Sequence, residues 1–221
     1  GIDRGDAIDM LAQHLITKPV FDALFGDYEF SEHNPVSLTM QAMLDELDDQ
    51  ALSTEAETLE SFYASVRKRA EGIDNHAARQ VVITELYERF FKLALPKTAD
   101  ALGIVYTPVE IVDFILRAVD QALREHLDTT LSAEGVHVLD PFTGTGTFLV
   151  RLLDSGLITS ADLARKYAAE LHANEILLLA YYIAAVNIEA TYHQLTPDSD
   201  YAPFEGIVLT DTFQLAETDD A

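Results

Sequence analysis

Residues 135–153 read GVHVLDPFTGTGTFLVRLL, an apolar run that stops at Asp140-Pro141, opens into Gly144-Thr145-Gly146 and turns apolar again. At the end of a strand such a loop lets a ligand approach the backbone and offers it the N-terminus of the next helix. Three ligand classes use that grammar. A phosphate cradle of the P-loop type needs a Gly-Lys-Ser/Thr step, and no lysine stands between Lys97 and Lys166. A dinucleotide fingerprint needs a third glycine three residues after the second; Leu149 occupies that position, which weakens the nicotinamide reading and leaves it open. S-adenosylmethionine carries an ammonium and a sulfonium but no phosphate, so a carboxylate at the strand end attracts it. Asp140 favours this cationic ligand, although the same residues also suit a tight strand-to-helix turn that holds nothing.

Two further carboxylates fit the same arrangement. Glu175, in LHANEI, lies where a second strand would end and could accept the hydroxyl hydrogens of a ribose. It stands 35 residues beyond Asp140, more than the ~20 of a minimal strand-helix-strand unit, and an extra helix in SADLARKYAAE accounts for the excess. A glutamate near a helix start also serves as a plain dipole partner. Asp211, closing GIVLTD, lies where a third strand would deliver an acceptor toward an adenine amino group, or else a solvated turn residue. Upstream, Thr107-Pro108-Val109-Glu110 reads as a capping box with proline at the first helical position; such a helix start can also bind a carboxylate.

The elements that must position these groups change character near residue 100. Residues 1–100 carry apolar positions at helical spacing, as in VSLTMQAMLDELDDQAL and TLESFYASVRKRAEGI, without strand-like alternation. A third such segment places Ile83, Leu86, Tyr87, Phe90, Phe91 and Ala94 on one stripe before Pro96, a pattern that suits a core. Residues 101–221 alternate between the two types: a helix after Thr107-Pro108, a β-branched strand VHVLD, a helix through Leu152, a short helix, a long helix LLLAYYIAAVNIEATY and a strand GIVLTD. That alternation predicts an α/β fold, a parallel sheet with helices on both faces, behind an N-terminal helical domain.

Composition narrows the chemistry. The chain has 221 residues with no cysteine, which excludes disulfides, thiolate metal sites and cysteine nucleophiles. Its seven histidines show no His-x-x-x-His spacing, so no metal is expected. Its longest apolar run is too short to cross a bilayer, its N-terminus is not a signal peptide, and a cytoplasmic location is expected. Acidic residues outnumber basic ones 38 to 14, for a net charge of -24, the wrong sign for displacing counterions from nucleic acid.

Taken in order, GIVYTPVEIVDFI, VLDPFTGTGTFLVRLL, ANEILLLAYYIAAVNI and IVLTDTF resemble the successive motifs of the gamma-type methyltransferases that methylate adenine N6 in DNA. The resemblance implies a truncated Rossmann-like sheet that binds S-adenosylmethionine. The methionine part would be held by Thr107-Pro108 and by the loop of Asp140, Pro141, Phe142, Gly144, Gly146 and Thr147, the ribose by Glu175 and the adenine amino group by Asp211. Residues 1–100 are similar to the helical coupler of single-polypeptide, type ISP restriction-modification enzymes. In these a nuclease and a helicase-like translocase precede the coupler, and a target-recognition domain follows the methyltransferase. The family's catalytic Asn/Asp-Pro-Pro-Tyr/Phe motif is missing, since the sequence contains no Pro-Pro pair. The resemblance therefore implies cofactor-binding residues without catalytic ones, in a chain inactive alone whose parent engages DNA. Alternatives are a non-catalytic coupling module and a nicotinamide-dependent oxidoreductase. The charge predicts that fluorescence anisotropy with a labelled duplex at physiological salt shows no saturable binding by this chain; tight binding there would contradict the electrostatic argument.

Overall fold

A computed structural model describes residues 4–25, 30–46, 107–197 and 199–213. The chain divides into two compact units, Gly1–Val82 and Ile83–Ala221. The stripe from Ile83 to Ala94, the segment TLESFYASVRKRAEGI and the change of texture at residue 100 lie outside the described residues.

The described part of the first unit is helical: α1 (Arg4–Phe25), α2 (Phe30–His33) and α3 (Pro35–Asp45) pack against one another. Asn34 starts α3, its side-chain oxygen accepting from the backbone N–H groups of Val36 and Ser37 at 3.1 and 3.0 Å. Pro35, which has no N–H to lose, takes the first helical position. Ser37, Met40 and Leu44 form the buried stripe of that helix.

In the second unit the order is α4 (Val109–Leu127), β1 (Val138–Asp140), α5 (Thr147–Asp154), α6 (Leu163–Arg165), a π-helical turn (Lys166–Glu170), β2 (Leu171–Glu175), α7 (Leu178–Leu195) and β3 (Ile207–Leu209). The start of α4 differs from the expected capping box. Pro108, with φ -53° and ψ 140°, is the cap itself, its carbonyl accepting from Ile111 and Val112, and no side chain caps the helix. Pro108 takes an extended ψ in place of the helical value of a first helical residue, so the helix begins one residue later than expected. Buried Asp120 secures the far end of α4, accepting from Leu131 N at 2.9 Å and Arg124 Nε at 2.7 Å.

The three strands are parallel in the order β1-β2-β3, with Val138 opposite Leu171 and Ala173 opposite Ile207. Both crossovers step the same way along the sheet, and crossovers of the usual right hand then place both connecting helices on one face. Accordingly α7 packs on β2, β3 and α5, covering the face that holds Leu171 and Ala173. On the other face Leu139 and Val208 remain 55% and 51% exposed. The expected helices on both faces are thus, among the described residues, a layer on one.

Every residue of α7 from Leu178 to Tyr192 is buried, the mark of a helix enclosed by its own domain. Its one buried carboxylate, Glu189, accepts from Phe204 N and the Tyr201 hydroxyl, fastening the segment that returns to β3. Beyond the amino ends of β1 and β2, fully buried Lys166 donates to the carbonyls of Ala133 and Val136 and pairs with Glu170 at 2.8 Å. Glu170 also accepts from Gly135 N and Arg165, which satisfies every charge in the cluster. Arg151 of α5 grips Asp113 of α4 through two bonds of 2.8 Å.

The glycine loop packs closely on α7. Gly146 has φ +85°, and a Cβ there would lie 3.2 Å from Ala184 Cα; Gly144 has φ +57° and open space around it. Gly146→Ala therefore adds overpacking to left-handed strain and should cost roughly 2–4 kcal/mol, whereas Gly144→Ala carries the strain alone, about 1–2 kcal/mol. Urea unfolding of both variants checks the difference; equal losses would show that the helix contact carries no weight.

Candidate functional site

The carboxyl ends of the three strands converge on the loop 140–147, and the parallel register explains why. Asp140 ends β1 and Glu175 ends β2 on the same edge, while Thr210 N, just past β3, donates to the Glu175 carbonyl at 2.8 Å. The loop folds back on these ends through its own backbone. Phe142 N donates to Asp140 Oδ1 at 3.2 Å, Thr143 N to the Asn174 carbonyl at 3.0 Å, Gly144 N to Glu175 Oε2 at 2.8 Å and Gly146 N to the Thr143 carbonyl at 3.0 Å. Four of the loop's N–H groups, those of Phe142, Thr143, Gly144 and Gly146, are thus engaged with protein acceptors.

The acceptors, by contrast, have capacity left. Asp140 Oδ2 is buried and has no hydrogen-bond partner. Glu175, itself buried, accepts from Gly144 N with one oxygen and from Leu177 N with the other, both at 2.8 Å; a carboxylate has about four lone-pair sites. Burial pushes both carboxyls above their ordinary ranges, against the backbone N–H groups that pull them down, and for Glu175 the neighbouring Asp140 charge adds to the rise. Two carboxylates held together with their donors consumed make a pocket for a cation and for hydroxyl groups, and a poor one for an anion.

The structure brings Asp140, Pro141, Phe142, Gly144, Gly146, Thr147 and Glu175 together at this edge. Asp211 stands two residues past β3 and caps its own turn, accepting from Phe213 N at 3.0 Å. Thr107 and Pro108 lie at the exposed start of α4, with no hydrogen bond to the loop. Three residues not singled out by the motif complete the edge. The Thr212 hydroxyl donates to the Pro141 carbonyl at 2.6 Å and accepts from Asn174 Nδ2 at 3.2 Å, tying all three strand ends. Phe213 sets its ring 5.5 Å from that of Phe142, the two being 72% and 64% exposed, an apolar wall beside the carboxylates. Their only signal in the sequence is adjacency to Glu175 and Asp211. Among the described residues no cluster of side chains could hold a metal, and no helix is long and apolar enough to cross a membrane.

Residues 1–78 match the coupler domain family of type ISP restriction-modification enzymes, and residues 78–218 match the N-6 DNA methylase family. A comparison with curated proteins returned no match. Among solved structures, the chain is similar to a nuclease-deletion mutant of the type ISP restriction-modification enzyme LlaGI in complex with a DNA substrate mimic. It is 50% identical with a TM-score of 0.88, over 99% of this chain and 18% of that one. It is also similar to the ATP-dependent type ISP enzyme LlaBIII bound to DNA, 52% identical with a TM-score of 0.86, over 97% of this chain and 15% of that one. The DrdV–DNA complex follows at 39% identity and a TM-score of 0.84, covering 94% and 20%. The chain thus spans less than a fifth of the first two.

The titrating groups predict a stability profile with two limbs. Asp140 and Glu175 have raised folded-state values, so the folded chain binds more protons than the unfolded one in the window above their ordinary 3.8 and 4.5, and stability rises as pH falls through it. Glu170 is lowered, first by its bond from Lys166, to about 2, so its contribution is lost as pH falls from 4.5 toward that value. Urea midpoints across pH should pass through a maximum; Asp140→Asn should flatten the upper limb and Glu170→Gln the lower. A profile unchanged by either substitution would contradict the assignment.

Proposed function

This chain belongs to the N-6 DNA methylase family and carries the coupler domain of type ISP restriction-modification enzymes; from that premise we propose that residues 107–213 bind S-adenosylmethionine. The observation that carries the reading is the buried Asp140 oxygen without a partner, beside a loop whose own N–H groups are already engaged. When bound, the cofactor supplies an activated methyl group on a sulfonium. Asp140 attracts the cationic methionine end, while Glu175 accepts the ribose hydroxyls with the lone pairs that Gly144 N and Leu177 N leave open. Asp211 would accept from the adenine amino group, Phe142 and Phe213 would offer it an apolar wall, and Thr107-Pro108 would help to hold the methionine end. Gly144, Gly146 and Thr147 give the backbone its close approach behind Pro141.

The same premise supports adenine N6 in DNA as the methyl acceptor of the enzyme in which this chain works, and a translocase, a nuclease and a target-recognition domain as its partners. Engagement of DNA there is supported by the DNA complexes of the similar enzymes. With no Pro-Pro pair in its sequence, the chain lacks the groups that grip a flipped adenine, and alone it is catalytically silent. The nicotinamide alternative draws no support from the families matched, and Gly144 N and Gly146 N are already committed to protein acceptors.

Isothermal calorimetry tests the cofactor reading. S-adenosylmethionine should bind saturably, and Asp140→Ala or Glu175→Ala should each weaken it by roughly 10- to 100-fold, the scale of a charge-assisted hydrogen bond. Saturable NADH binding, or S-adenosylmethionine binding indifferent to both substitutions, would overturn it.

A further inference from the structure

We propose that Asn187 is a positioning residue for the cofactor loop: from the middle of α7 it fixes the orientation of the peptide between Thr145 and Gly146. The inference rests on the cofactor reading of that loop.

Asn187 is out of place by every local criterion. Asparagine is a poor helix former, its neighbours from Leu178 to Tyr192 are all buried, and it is itself 5% exposed. Its Oδ1 has no hydrogen-bond partner, a standing cost for a buried amide. A helix that needed only to pack would carry leucine or alanine here. What the amide gains is at its other end, where Nδ2 donates to the Thr145 carbonyl at 3.0 Å within the protein interior.

Three residues earlier on the same helix, Ala184 meets Gly146 so closely that a Cβ on the glycine would lie 3.2 Å from the alanine Cα. Positions three apart share a helix face, so Ala184 and Asn187 form a two-point seat for successive loop residues. The seat matters because of what glycine permits. A peptide beside a glycine at positive φ flips at little cost, since glycine adopts either sign of φ. Turning the Thr145 carbonyl toward Asn187 turns the N–H of the same peptide, on Gly146, toward the Thr143 carbonyl at 3.0 Å. In that conformation Gly144 N reaches Glu175 at 2.8 Å. With the peptide flipped, a free N–H would enter a pocket that otherwise presents acceptors, and its preference for a cation would weaken. Asn187 acts through the loop and touches no reacting atom.

The test is Asn187→Leu, which keeps the number and branching of the side-chain heavy atoms, raises helix propensity and removes the donor. A residue with only a structural role would lose stability and affinity together. The expected result separates them: a thermal midpoint equal to or above wild type, with S-adenosylmethionine affinity lowered about tenfold. Amide hydrogen exchange at Gly144 and Gly146 should also quicken with no ligand added. If the leucine variant does not fold, Asn187→Ala is read by the same measurements. Affinity within about twofold of wild type, or parallel loss of midpoint and affinity in whichever variants fold, overturns the proposal. Should the wild-type chain bind no S-adenosylmethionine, the cofactor reading fails by itself; the exchange rates then decide alone, with unchanged rates overturning the role of Asn187.

Discussion

The bond from Gly144 N to the buried Glu175 carboxylate is the constraint on which the candidate site depends. It joins the glycine loop after β1 to the end of β2, residues 31 apart in sequence, and it spends a backbone donor on a protein acid. A loop built to hold phosphate keeps such donors free. Here the loop closes on its own acceptors, and the leftover valence belongs to oxygen. The charge character of the pocket follows from that bookkeeping, and it explains how a strand end with two carboxylates coexists with a glycine-rich turn.

The sheet is held differently at its two ends. Beyond the amino ends of β1 and β2 a buried ion cluster around Lys166 and Glu170 locks the turn before β1 onto the π-helical segment. At the carboxyl edge the ties are neutral: Thr212 to Pro141, Asn174 to Thr212, Thr143 to Asn174. A charged lock at that edge would have competed with Asp140 and Glu175 for the ligand. The ion pairs thus sit at the amino end, while at the carboxyl edge Asp140 and Glu175 accept from backbone N–H groups and pair with no cation.

How much of this was readable beforehand depends on the range over which each feature acts. Asp140 and the glycines stand out because each lies beside the others in one short turn, whereas the bond that brings Glu175 to them spans 31 residues. The strand and helix order followed from apolar periodicity. The start of α4 was displaced by one residue because Pro108 takes an extended ψ of 140° and is itself the cap, a backbone choice that the residue types around it do not announce. Which face of the sheet the described helices cover was not readable, because it depends on strand order, which periodicity does not encode. Lys166 reads as an ordinary surface position in a short helix, yet its partners Ala133 and Val136 lie 33 and 30 residues upstream. Thr212 bonds across 71 residues and Asn187 across 42. For such groups, identity alone carries no signal, and only the fold reveals the partner.

The near-contact between Gly146 and Ala184 has a bearing on how the sequence can drift. The atoms of position 184 nearest the loop are mainly main chain, its Cα and carbonyl oxygen, so the crowding persists whatever side chain the helix carries there. Drift at this junction is therefore limited chiefly on the loop side, where position 146 can gain a Cβ only if helix and loop part slightly.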